Sequence, residues 1–298
     1  MNGDTGLAYD LVSAQMADGV DVGTVLFDLL APMQRDVGRR WQTGEYRVAD
    51  EHASTATLET LVALLGGSLD LPQGGRRYAI VAAEGDNHGL PARMVATYLV
   101  YLGYNVINLG ASVPAADLGG YLVEHEIEVL LLTCAATASL RGARSCVATA
   151  HANKIPVVVG GRAFGPDDQR AKAIGADGWV ADPRQLPEFL ETWAPDVVSA
   201  ESGYAAVEPL EVRMPQLVGG LILSVPGLRP AEAARIVAVI DAAELTGDRR
   251  ILGELLDWYR LRTYSPDTLV DEGMLLAGIL AAVPLEDPLW TTIAELDH

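Results

Sequence analysis

A histidine two residues after an aspartate closes an apolar run. Tyr78-Ala79-Ile80-Val81-Ala82-Ala83 leads through Glu84-Gly85 into Asp86-Asn87-His88. Small and β-branched residues in so short a run predict a buried parallel strand. Loops at the carboxyl ends of such strands are where open α/β sheets hold ligands. An imidazole placed there can bind a metal through one ring nitrogen, while a neighbouring carboxylate fixes its tautomer through the other. His88 is therefore the candidate metal ligand and Asp86 its orienting partner.

The surrounding pattern supplies elements that would position this pair. Strand candidates are 78–83, 105–108, 128–133, 155–159 and 178–181; between them lie helical candidates 90–102, 115–126, 138–152 and 167–174, with another near 186–193. Strand–helix units of this length predict a doubly wound, Rossmann-like parallel sheet with right-handed crossovers over residues 76–197. Residues 1–75 read as a helical bundle: Leu26, Leu29, Leu30 and Met33 recur at helical spacing, as do Leu58, Leu61, Leu64 and Leu65. Two shorter helices fit before residue 40, so four helices are expected, and Pro72-Gln73-Gly74-Gly75 marks a linker. Residues 198–298 form a third, helical block with apolar runs at 216–225, 231–245, 250–261 and 268–283. Pro230 suits a first helical turn there and Asp267 a helix start. The fold class is thus multidomain, α and α/β.

Composition narrows the function. The formal charge of −19 on 298 residues disfavours direct contact with nucleic acid or an anionic membrane, because phosphates would be repelled. No run of 18 apolar residues suggests a membrane span, and the N-terminus shows no secretory pattern. Cys134 and Cys146 are too few for a disulfide framework or a structural zinc site and read as reduced thiols of a cytoplasmic protein.

The α/β block resembles the cobalamin-binding domain family, whose pattern is Asp-x-His-x-x-Gly, then Ser-x-Leu about forty residues on, then Gly-Gly. The corresponding residues are Asp86-Asn87-His88-Gly89-Leu90-Pro91, Thr133-Cys134-Ala135 and Gly160-Gly161. Pro91, Thr133 and Ala135 depart from the pattern, but proline suits a first helical turn and threonine keeps a hydroxyl. The resemblance implies a cobalamin whose own base is displaced, with His88 as lower axial ligand. Its nucleotide tail would lie in a slot beside Thr133 and the glycine pair, which lets a bulky group approach the backbone.

Trp41, nine residues and then Glu51-His52 form a second match, which resembles the light-sensing cobalamin proteins of the CarH type. The resemblance implies that the bundle covers the upper corrin face and encloses a 5′-deoxyadenosyl group, with Trp41 as a wall and Glu51 and His52 as polar contacts. Those relatives commonly carry histidine after the tryptophan as the cobalt ligand in the lit state, whereas this chain has Gln42, a poor cobalt(III) ligand. Water, or a shifted His52, would be the alternatives. The winged-helix DNA-binding module of those relatives is not seen in the chain either, in keeping with its charge.

The order of the three blocks is similar to that of photocobilins, which pair adenosylcobalamin with biliverdin. Trp258, Arg260 and Arg262, with Tyr259 and Tyr264 beside them, have the types a bilin would need, aromatics for pyrrole rings and arginines for propionates. The block contains no cysteine, so a thioether-linked bilin is excluded. The same block could instead be a dimerisation or interaction module. The functional expectation is a non-enzymatic photoreceptor: adenosylcobalamin photolysis would alter domain packing, homo-oligomeric state and contact with an output partner. The alternatives are a corrinoid carrier in a methyltransferase system and, with no substrate barrel on the chain, less readily a mutase subunit.

Overall fold

The computed structural model describes residues 5–69, 72, 74–194, 210–262, 270 and 272–282. At its centre stand five parallel strands, β1 (Arg77–Ala82), β2 (Asn105–Asn108), β3 (Val129–Thr133), β4 (Val157–Gly160) and β5 (Gly178–Val180), in the order β2-β1-β3-β4-β5. Helices α4 (Gly89–Tyr101), α5 (Ala115–Glu124), α6 (Leu140–Ala152), α7 (Gln169–Ala173) and α8 (Leu186–Thr192) make the connections. Each lies within a few residues of its sequence expectation. Strand alternation divides the core. Tyr78 and Ile80 pack with α4 and α8, whereas Ala79, Val81 and Ala83 pack with α5, α6 and α7. The chain reverses direction across the sheet between β1 and β3, the crevice where ligands of such sheets sit.

The N-terminal block has three helices among the described residues: α1 (Thr5–Ala17), α2 (Ala31–Gln42) and α3 (Val48–Gly67). A π-helical stretch, Thr24–Leu30, runs straight into α2, and Pro32, which cannot donate to the preceding turn, sits where ordinary winding resumes. The expected fourth helix is supplied from outside the block. Leu90 and Met94 of α4 are buried in the same cluster as Val25, Leu26, Leu58, Leu61 and Leu65, so the bundle is completed by the first helix of the sheet domain. α3 starts where the Asp50 carboxylate accepts the Arg47 backbone N–H at 3.0 Å, and Asp50 and Glu51 place negative charge on its first turn.

The C-terminal block contains α9 (Leu210–Ser224), α10 (Pro230–Thr246), α11 (Arg250–Arg262) and α12 (Glu272–Ala282). Pro230 stands in the first turn of α10, and Gly247, with φ +61°, ends it. Tyr264 and Asp267 lie outside the described residues. These helices share one continuous apolar core with the α5–α7 face of the sheet: Leu221, Val225, Ile236 and Leu275 belong to the same cluster as Leu118, Leu132 and Val147. Buried ion pairs reinforce the seam. Arg141 meets Asp241 on α10 at 2.5 and 2.6 Å. Arg170, fully buried on α7, donates to Asp248 at 2.7 Å and to Glu254 on α11 at 2.5 Å. No described helix is long and apolar enough to cross a membrane.

Candidate cobalamin site

Strand register assembles the motif. Ala82 pairs with Thr133, Thr133 with Gly160, and Gly160 with Val180. The ends of β1, β3 and β4 therefore form one row, with the three sequence motifs in the loops above it. Beyond β1 the backbone turns, Asp86 N–H donating to Ala83 O at 2.8 Å, and His88 becomes the residue that opens α4.

Asp86 is 1% exposed yet fully engaged. Its Oδ1 accepts His88 N–H at 3.1 Å and lies 2.5 Å from His88 Nδ1, while Oδ2 accepts Ala135 N–H at 2.5 Å. Burial pushes its carboxyl upward, but the bonds from His88 and Ala135 outweigh that and hold it below the usual carboxylate range. Asp86 is thus ionised, so His88 Nδ1 carries the proton and donates it. The same bond, with the charge of Asp86, raises the imidazole against its partial desolvation. With Nδ1 committed to a buried anion and its side chain 61% exposed, His88 leaves Nε2 as the ring nitrogen open to a ligand.

The donor set decides which metal fits. Among the described residues no three His, Cys, Asp or Glu side chains converge on a metal site. Cys134 lies below the site, and burial holds its thiol well above its ordinary range, so it stays protonated. A single imidazole on a carboxylate suits a metal that brings its own equatorial ligands, as cobalt does in a corrin. The glycine pair lets the β3 and β4 loops pack closely beside the site. Gly161 has φ +108°, and a Cβ there would lie 2.5 Å from Cys134 O; one on Gly160 would lie 3.0 Å from Val180 O. Gly89 has less demand on it, since a Cβ would touch Ala111 Cβ at 3.4 Å. Thr133 is buried, and its hydroxyl donates at 3.5 Å to Val81 O.

On the bundle side, Glu51 and His52 form one hydrogen-bonded unit. His52 Nδ1 lies 2.6 Å from Glu51 Oε2, and Thr55 Oγ1 donates to Glu51 Oε1 at 2.8 Å. Trp41, in the last turn of α2, is partly buried and stands 6.2 Å, ring centre to ring centre, from Trp258 of α11. Gln42 Nε2 donates to Trp258 O at 3.2 Å. The bilin expectation groups Trp258 with Arg260 and Arg262. Instead, Trp258 joins Trp41 and the Arg235 guanidinium, 4.9 Å from its ring, while Arg260 turns to Asp257 at 2.9 Å. Residues two apart on a helix do not share a face, which separates Trp258 from Arg260; the Arg262 side chain lies outside the described residues.

Sequence reasoning missed three participants. Ala135 acts through its backbone N–H and has no side-chain signature. Arg162 follows the glycine pair, with Nε 3.4 Å from Ala135 O, a cation at the site of a strongly acidic chain. Gln42 follows Trp41 in the sequence, but its bond to the Trp258 carbonyl has no local signal.

Comparison with known proteins agrees with this geometry. Residues 76–187 match the B12 binding domain, and residues 1–65 match a second B12 binding domain model. The HTH-type transcriptional repressor CarH of Myxococcus xanthus is 33% identical over 141 residues, an alignment spanning 46% of this chain and 46% of that one. The chain thus matches about half the length of that relative. The monomethylamine corrinoid protein of Methanosarcina barkeri superposes with a TM-score of 0.53 at 22% identity, over 63% of this chain and 92% of that one, a likeness of fold. With a helical N-terminal region, a Rossmann-like domain and both domain matches in order, this chain is a B12-binding-domain protein that is similar to CarH over about half its length.

Proposed function

We propose that this chain is a regulatory light sensor that holds adenosylcobalamin between its bundle and its sheet domain. One observation carries the reading: α3, whose first turn bears the Glu51–His52 unit, packs along α4, the helix that His88 opens. When bound, adenosylcobalamin supplies a cobalt–carbon bond that light can break.

The residues have separate tasks. His88 offers Nε2 from below, and Asp86 keeps its ring in one orientation. Gly160 and Gly161 leave the tail room between the β3 and β4 loops, with Thr133 beside it. Trp41 excludes water from the upper side with a rigid apolar plane, and Glu51 and His52 present an acceptor and a donor to a ribose and a base. Trp41, Glu51 and His52 would hold the adenosyl side of the cofactor, so the packing of the bundle, and the surface it offers to another copy or to an output partner, would depend on whether that group is bound. Gln42, bonded to α11, is engaged elsewhere than in cobalt ligation.

The experiment is a reconstitution with adenosylcobalamin in the dark, followed by green light, with absorption and size-exclusion profiles compared. A light-dependent change in both supports the reading; an unchanged spectrum and oligomeric state under illumination refutes it. The same spectra test for biliverdin at the C-terminal helices, which would add a far-red band. A corrinoid carrier for methyl transfer is the competing reading, favoured by the fold shared with the monomethylamine corrinoid protein. Such a carrier needs an open upper face, so Trp41→Ala would leave its cobalamin preference unchanged, whereas the sensor would lose its preference for the adenosyl form.

A further inference from the structure

We propose that Trp258 is a positioning residue of the upper pocket: it sets the ring of Trp41 from the C-terminal helices and makes that block a structural part of the cobalamin cap. The proposal rests on the reading that Trp41 walls the upper face.

Two contacts join the same pair of elements. The indoles of Trp41 and Trp258 lie 6.2 Å apart with planes inclined by 48°, within the separations at which aromatic pairs attract. The next residue on α2, Gln42, donates to the Trp258 carbonyl at 3.2 Å across 216 positions of sequence. A ring contact and a directional bond one residue apart define both the distance and the rotation of the α2 terminus relative to α11.

Trp258 is itself held. The Arg235 guanidinium lies 4.9 Å from its ring. The neighbouring Tyr259 is fully buried and donates from its hydroxyl to Glu232 Oε1 at 2.8 Å. Both partners lie on α10, so α11 cannot roll without breaking them. One turn earlier, Glu254 receives the buried Arg170, whose Nη1 also donates to Ala163 O at 2.9 Å, just beyond Gly160-Gly161. One helix therefore touches the cap tryptophan near its end and, through Arg170, the loop after the glycine pair. A displaced Trp41 would be felt along α11 and through it in the C-terminal core.

The test uses the full chain in the dark, titrated with adenosylcobalamin and with hydroxocobalamin. Trp258→Ala is expected to lower the ratio of the two affinities about three- to tenfold, the worth of one aromatic pair, with hydroxocobalamin affinity kept. Trp258→Phe, which retains a ring, is expected to restore most of the ratio. A merely structural role would weaken both cobalamins together. An unchanged ratio in Trp258→Ala, with a lowered one in Trp41→Ala, overturns the proposal and leaves the cap reading intact. An unchanged ratio in both variants overturns both. Should Trp258→Ala fail to fold by circular dichroism, Gln42→Ala decides: a lowered ratio supports the proposal and an unchanged one overturns it.

Discussion

Asp86 holds His88 with one carboxylate oxygen and the backbone of Ala135 with the other, each at 2.5 Å. One buried anion thereby ties the loop after β1 to the loop after β3, across the point where the sheet reverses its winding. The His88 ring is oriented by the same group that holds the Ala135 backbone. An imidazole borne on a loop gains a rigid direction this way, which a metal ligand requires.

Asp86→Asn keeps the size of the side chain and removes the charge. The amide oxygen can face either the two His88 donors or the Ala135 N–H, and its NH₂ would face the other. Cobalamin affinity is expected to fall by about 10- to 100-fold, the usual cost of losing a ligand's orienting partner. Spectral titration of the folded variant checks this. Undiminished affinity would show that His88 needs no orientation.

Gly161→Ala tests the slot. The site has φ +108°, and the added methyl would meet Cys134 O at 2.5 Å, so the β4 loop must move away from β3. Strain of this kind costs about 1–3 kcal/mol, visible as a lowered Tm. Binding should separate by ligand, intact cobalamin losing more affinity than cobinamide, which has no nucleotide tail to insert. Equal losses would place the tail elsewhere.

The strands were legible because a buried parallel strand is written as a short apolar run. β2 lies at its expected residues, and β1, β3 and β4 within two of theirs. Asp86, His88 and the glycine pair were legible because their chemistry is carried by side chains, or by their lack, at fixed spacing. What could not be read depends on partners remote in sequence or on the backbone. Ala135 contributes only an N–H. The meeting of Gln42 with Trp258 leaves no local periodicity. The C-terminal block looked separable because its helices have ordinary turn signals, yet its apolar faces close onto α5–α7 rather than on one another alone.

That shared seam should be expensive to break. Arg170 is fully buried between Asp248, itself 3% exposed, and Glu254. Arg170→Met strands the Asp248 charge near Arg250 alone and leaves the Ala163 carbonyl without its side-chain donor. Removal of one member of a buried pair costs about 3–5 kcal/mol. Urea unfolding should show that loss in the midpoint, and limited proteolysis should find the α10–α11 region first. A loss below about 1 kcal/mol would mean that the apolar seam holds the block without the ion pairs.

Acid should release the same seam late. Burial pushes Asp248 upward, but hydrogen bonds from Arg250 and Arg170 prevail and hold it below the usual carboxylate range. Asp167, paired mainly with Arg250, is held at about 2. A depressed carboxylate contributes stability that is fully present above its unfolded pKa and disappears as pH falls through the folded one. The contribution of Asp167 should therefore persist through the ordinary carboxylate range and be lost as pH falls toward about 2, and that of Asp248 should likewise be lost only below the ordinary carboxylate range. Arg250→Ala removes the cause, returns both carboxylates toward their ordinary range, and should move the loss of near-ultraviolet circular dichroism from the C-terminal aromatics to higher pH. Superimposable acid profiles for the two proteins would show that Arg250 does not hold the carboxylates ionised.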